Sequence, residues 1–191
     1  MRITALITAL ASAMATAAQP MPLPYIINNV PLPDAMNKQV CISGMKYMDG
    51  KLYFASERCP VIFAADPATG AITNTININV PQMYEMEGLT SYKNKLYAVS
   101  ENTVAVYEIN PADGATQQLQ TSQPLPPKSK NGDGMEGIAA NETSNKFYIL
   151  RERNEEMTFA QIWTFSVEPG SDDNSFSLKY ESMIELHLQN P

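Results

Sequence analysis

Histidine and cysteine are almost missing from the sequence: one His and two Cys stand among 191 residues. One imidazole and two thiols cannot fill a usual zinc site. The imidazole, His187, alternates with Leu186 and Leu188 in the pattern of a strand surface, and no G-x-S-x-G occurs, so nothing marks a Ser-His-Asp triad. Basic residues are also short, 13 Lys and Arg against 20 Asp and Glu, for a net charge of −7 and a pI near 4.7. That balance argues against non-specific binding to nucleic acid or to anionic lipid, and it suits cations. No segment carries a sustained helical period with caps, which excludes an α/β fold. The 44% hydrophobic content is that of a globular protein.

Residues 1–17 have one basic residue, an apolar run and an Ala15-Thr16-Ala17 ending, the form of a cleaved secretory signal peptide. The run falls short of the roughly 20 strongly apolar residues of a spanning helix, so a secreted or periplasmic protein with no membrane span after cleavage is expected. Residues 18–40 form a Pro-punctuated lead-in whose YIINNV core, Tyr25 to Val30, could serve as an outer strand.

From residue 41 a repeat governs the chain. Gly44, Gly88 and Gly137 occupy equivalent places in Ser43-Gly44-Met45, Met86-Glu87-Gly88-Leu89 and Met135-Glu136-Gly137-Ile138, at separations of 44 and 49 residues, the range of propeller blades or solenoid units. Each unit opens with a short strand holding the glycine, turns, and returns through KLYFAS, KLYAVS or KFYILRE. Asp49-Gly50 suits a two-residue type I′ hairpin, Lys93-Asn94 takes the same place, and the third turn is two residues longer. A third strand ends in a polar turn (DPATG, NPADG, EPGSDD), and a weaker fourth follows (TNTININV, TQQLQT, FSLKYES). The expectation is an all-β fold of β-propeller-like blades, four antiparallel strands each, with three blades at about 41–80, 85–122 and 134–182. The Pro-rich run Gln123 to Lys130 is expected to be an exposed inter-blade loop. A fourth blade would open near Gln189, so residues 41–191 are read as an incomplete propeller: part of a longer frame, an open arc that self-associates through its open sides and is completed by a second chain, or an unusually tight closure using YIINNV.

Two-residue turns fix a register. Lys93-Asn94 sets Glu87 opposite Ser100 and Met86 opposite Glu101; the longer third turn sets Glu136 opposite Arg151 and Met135 opposite Glu152. First strands line the channel of a propeller, so Glu87 and Glu136, with Glu101 and Glu152 at the adjoining strand ends, are candidate metal ligands. Several carboxylates make an oxygen-rich site suited to Ca²⁺. The competing expectation is a cross-strand Glu136–Arg151 ion pair with the remaining carboxylates as solvated edge charges. Arg58, Arg151 and Arg153 are candidates to bind an anionic substrate group. The Asp49-Gly50 turn sets Cys41 opposite Arg58 with Cys59 one residue beyond, near enough for a disulfide. The ligand or substrate is not legible.

The Ser43-Gly44-Met45 opening, the Met86-Glu87-Gly88-Leu89 element, the run Asn131-Gly132-Asp133-Gly134-Met135-Glu136-Gly137-Ile138-Ala139, and the strand ends Ser56-Glu57-Arg58, Ser100-Glu101-Asn102 and Arg151-Glu152-Arg153-Asn154 together resemble the SdiA-regulated family of extracytoplasmic propellers. They are also similar to the family labelled esterase-like activity of phytase. The resemblance spans Ile42 to Leu188 and adds weight to calcium. It implies a calcium-associated propeller, either a metal-dependent hydrolase of phosphate or carboxylic esters or a non-catalytic binding propeller with structural calcium.

Overall fold

Alternation of apolar and polar side chains in short runs between Gly, Pro and Asp turns builds strands here, and strands that are consecutive in sequence pair. The computed structural model describes residues 40–81, 84–130, 134–153, 158–171 and 175–187. The signal peptide, the YIINNV strand, Asn131-Gly132-Asp133 and residues 188–191 lie outside them. Twelve strands form three antiparallel four-stranded meanders. The first sheet holds β1 (Ile42–Met48), β2 (Lys51–Ser56), β3 (Val61–Ala65) and β4 (Ile72–Asn77) in that order. The second holds β5 (Met86–Tyr92), β6 (Lys95–Ser100), β7 (Ala105–Ile109) and β8 (Thr116–Gln118); the third holds β9 (Met135–Asn141), β10 (Lys146–Arg151), β11 (Phe159–Pro169) and β12 (Phe176–His187). No helix occurs among the described residues, so none is long and apolar enough to cross a membrane.

The turns follow the local chemistry. Asp49 and Gly50 have φ of 49° and 77°, and Lys93 and Asn94 have 47° and 61°, the paired positive values of a type I′ turn. Asp66 closes its turn by accepting at Oδ1 from the amides of Ala68 (2.9 Å) and Thr69 (2.8 Å). Asn110 repeats the device, accepting from the amide of Ala112 at 3.1 Å.

The sheets stack face to face through their first strands. One core joins sheets one and two, with Ile62, Ala64 and Met48 against Leu89, Leu96 and Ile109. The next joins sheets two and three, with Tyr97, Val99 and Val106 against Met135, Phe147 and Phe165. The glycines allow this stacking: a Cβ on Gly44 would lie 2.7 Å from the Leu89 amide nitrogen, and one on Gly88 would lie 2.6 Å from that of Ile138. Backbones therefore approach as closely as a missing side chain permits. Three meanders stacked in sequence through their inner strands are blades of a β-propeller arc.

Two expectations need correction. The Gln123 to Lys130 loop is not simply exposed, for Leu125 and Ser129 are buried. The residues just before it are tied to β12, where Ser122 donates its amide to Leu178 at 2.8 Å and Leu178 returns one to Gln120 at 2.9 Å. The fourth strands also differ in length from their sequence outlines. β8 has three residues, whereas β12 runs through twelve and carries His187, whose ring meets Phe159 edge-on at 4.5 Å.

Candidate functional site

The register breaks at one equivalent step in every blade. Ile42 pairs with Ser56 but Gly44 with Ala55; Met86 pairs with Ser100 but Gly88 with Val99; Met135 pairs with Arg151 but Gly137 with Leu150. Ser43, Glu87 and Glu136 are thus the extra residues of three β-bulges. This corrects the two-residue-turn register: Met86, not Glu87, faces Ser100, and Met135, not Glu136, faces Arg151. A bulge re-aims its side chain out of the ladder. Ser43 uses the freedom to donate its hydroxyl to the Met86 carbonyl of the next blade.

Beyond each bulge one more hydrogen bond closes the hairpin. The amides of Glu57, Glu101 and Glu152 donate to the carbonyls of Cys41, Glu85 and Gly134 at 2.9, 2.8 and 3.0 Å. Each blade therefore delivers a second-strand glutamate to the same end as its bulge. Glu101 is buried and lies against the Gly134 backbone, where any side chain would strike its carboxylate. Lys128 enters from the inter-blade loop and sits 2.6 Å from Glu85 and 2.5 Å from Glu101.

The charges are unevenly compensated. The Lys128 ammonium holds the Glu85 carboxyl below its ordinary value. Burial pushes Glu87 up to about 8, reinforced by the negative fields of Glu136, Glu57, Glu101 and Glu85. Burial likewise raises Glu136 to about 7, with Glu101 and Glu152 adding to it. Glu101 is also raised, burial outweighing the pull of Lys128. Two half-buried carboxyls thus hold protons near neutrality because burial and the carboxylates around them outweigh the positive charge in reach.

The four expected metal ligands share this end of the arc but divide into two kinds. Glu101 is engaged by Lys128, and Glu152 pairs with Arg153. Among the described residues no group of three or more His, Cys, Asp or Glu side chains is gathered as a ready metal cage. Glu87 and Glu136 by themselves do not make a closed site of six to eight protein oxygens. The arginines are dispersed. Arg58 is exposed on blade one, while Arg151 is buried in blade three, its Nη2 donating to the Pro127 carbonyl at 3.4 Å, and Arg153 carries the Glu152 pair.

Cys41 and Cys59 are half-buried at the same hairpin end, and no disulfide joins them. The bulge at Ser43 accounts for the offset: it brings Cys41 opposite Glu57, so Cys59 lies two residues past the facing position, where a turn free of bulges leaves it one. Lys128 and Glu85 are the participants that sequence reasoning passed over. Glu85 opens the second repeat unit as Gly134 opens the third, each three residues before the repeat glycine, and Lys128 lies in the loop between the units.

Two hollows lie apart from this acidic end. A cleft of about 270 Å³ between blades two and three is lined by Lys93, Lys95 and Phe176 at the opposite, turn end. A groove of about 300 Å³ runs over the far face of blade three along Gly137, Tyr148 and Leu150.

The family model described as SdiA-regulated matches residues 68–181, more than half of the chain. The chain belongs to the SdiA-regulated family. No curated protein matches it in sequence. Among solved structures it is similar to a Myxococcus xanthus glutaminyl cyclase, at 21% identity and a TM-score of 0.46 over 56% of this chain and 49% of that one. It is also similar to a chain of a nidogen/laminin complex, at 15% and 0.48 over 72% and 47%. A Staphylococcus aureus virginiamycin B lyase gives 14% and 0.48 over 82% and 58%. The chain spans about half the length of these structures.

Proposed function

We propose that this member of the SdiA-regulated family is an exported propeller whose acidic mouth binds a cation, calcium being the ion of choice, through Glu87 and Glu136. The observation that carries the reading is the pair of half-buried carboxyls on adjacent bulges whose pKa values are raised to about 8 and about 7. Burial, with the negative fields of neighbouring carboxylates, holds both protonated, and a divalent ion would supply positive charge to both. Lys128, lodged between Glu85 and Glu101, is the same preference for positive charge met from within the chain.

The ion would supply positive charge able to polarise an ester oxygen. A second reading, hydrolysis of phosphate or carboxylic esters, has one observation in its favour: Glu136, at about 7, can give or take a proton at neutral pH. The dispersed arginines favour the binding reading, since they offer no shared anion clamp. Export is the remaining part of the proposal. In an oxidising compartment Cys41 and Cys59 would be joined after a small movement of the hairpin end, and two reactive thiols in the unfolded, unreduced secreted protein would contradict this.

The test is thermal unfolding at pH 7.5 with and without calcium, run beside release of p-nitrophenol from phosphate and acyl esters. Calcium should raise the melting temperature of the parent by mass action and leave the Glu87→Gln/Glu136→Gln double variant unmoved. Equal shifts in both proteins contradict the site. Calcium-dependent ester release lost in the double variant selects the hydrolase, and silence under both conditions selects the binding module.

A further inference from the structure

Three consecutive carbonyls lead into Glu87, and each is held by a donor. The Ser100 hydroxyl donates to the Tyr84 carbonyl, the Glu101 amide to that of Glu85 at 2.8 Å, and the Ser43 hydroxyl to that of Met86. The first two donors come from the same hairpin. The third crosses from the neighbouring blade, 43 residues away in sequence. It falls on the peptide that joins Met86 to Glu87, where the register of the ladder breaks.

The glycine contact between blades one and two makes this reach possible. At Gly44 the strands β1 and β5 come so close that a Cβ would lie 2.7 Å from the Leu89 amide nitrogen and 2.9 Å from the Gly88 carbonyl carbon. Ser43, the residue before Gly44, is the extra residue of its own bulge, so its side chain leaves its own ladder and meets the next blade. Met86 is fully buried, and a buried carbonyl that loses its donor has no water to turn to. The next blade contact lacks this bond. The place of Ser43 is taken there by Glu87, and the carbonyl ahead of Glu136 is that of Met135. Among the described residues no hydrogen bond runs from Glu87 to Met135.

We propose that Ser43 is a positioning residue for the cation site: its hydroxyl fixes the Met86–Glu87 peptide and with it the direction in which Glu87 presents its carboxyl. The inference rests on the reading of Glu87 as a cation ligand. A hydrogen bond behind a ligand limits the directions the ligand can take, so less ordering remains to be done when the ion arrives. Glu87 is braced in this way from blade one, and Glu136 is not. The mouth therefore pairs one fixed carboxyl with one adaptable carboxyl.

Nitrogen relaxation and calcium titration calorimetry test this on the parent, Ser43→Ala and Ser43→Thr. The Glu87 amide lies in the braced peptide. In calcium-free buffer its order parameter should be about 0.85 in the parent and above that of the Glu136 amide, should fall toward about 0.6 in Ser43→Ala, and should recover in Ser43→Thr, which keeps the hydroxyl. Ser43→Val, with the shape of the threonine but no hydroxyl, should behave as Ser43→Ala does, and circular dichroism checks the fold of each variant. The calcium dissociation constant should rise about tenfold in Ser43→Ala and return in Ser43→Thr. A Glu87 amide no more ordered than that of Glu136 in the parent overturns the proposal, as does one unmoved by Ser43→Ala. Calcium binding that is equally tight in the parent and in Ser43→Ala overturns it too. A parent that binds no calcium contradicts the cation reading instead, and the relaxation data still decide whether Ser43 holds the bulge.

Discussion

A glutamate at a bulge obeys different electrostatics from one in a ladder. Glu87 leaves the ladder but stays half-buried, with Glu136 near it, so its proton is retained to about 8. The unfolded chain holds these carboxyls at the ordinary glutamate value near 4.3. Between that value and about 8 the folded form therefore binds protons that the unfolded form has released. The stability they contribute is complete at pH values below about 4.3 and is lost as pH rises through 7 and then 8. We predict that the melting temperature, in calcium-free buffer, falls as pH is raised from 5 to 8.5, and that Glu87→Gln flattens the fall by making the upper end more stable. A curve with the same slope in the variant would show that Glu87 is not the titrating group. Gly88 makes a second prediction at this scale. Its missing side chain is 2.6 Å from the Ile138 amide nitrogen, a backbone atom that cannot rotate away, so Gly88→Ala should destabilise by about 1–3 kcal/mol in urea unfolding. An unchanged midpoint contradicts close stacking of blades two and three.

At the scale of the element, the bulged inner strand and the inter-blade loop act together. Lys128 holds the end of the loop to Glu85 and Glu101, and Leu125 anchors its middle in the core between blades two and three. Removing the ammonium leaves Glu101, a buried carboxylate, uncompensated. Lys128→Ala should cost about 1–2 kcal/mol at pH 8, and Glu101→Gln added to it should recover part of the loss. Additive losses in the double variant would place the two groups outside each other's reach. The strands themselves were legible in the sequence, because type I′ turns and alternation act over a few residues and recur three times. The bulges were not. Asp49-Gly50 and Lys93-Asn94 set the register correctly as far as Gly44 and Gly88, and one residue later an unpaired position inserts itself without altering the local pattern of side chains. Lys128 escaped notice for another reason: it belongs to no repeat, and its partners lie 43 and 27 positions away in sequence.

For the whole molecule, stacking by means of one glycine per blade explains both what the arc buries and what it leaves bare. Interior contacts repeat from blade one to two and from two to three, while the far faces of blades one and three keep Met45, Tyr47, Leu150 and Ile184 in solvent. The same stacking aligns the bulges, so that Ser43, Glu87 and Glu136 rise at one end and turn three separate hairpins into a single acidic mouth. The measurement that bears on this most directly is a carboxyl carbon NMR titration of the glutamates, with and without calcium. Without the ion, Glu87 and Glu136 should titrate near 8 and near 7, well apart from exposed glutamates, and calcium should carry both midpoints down toward the ordinary range. Midpoints near 4.3 for both carboxyls, indifferent to calcium, would contradict it.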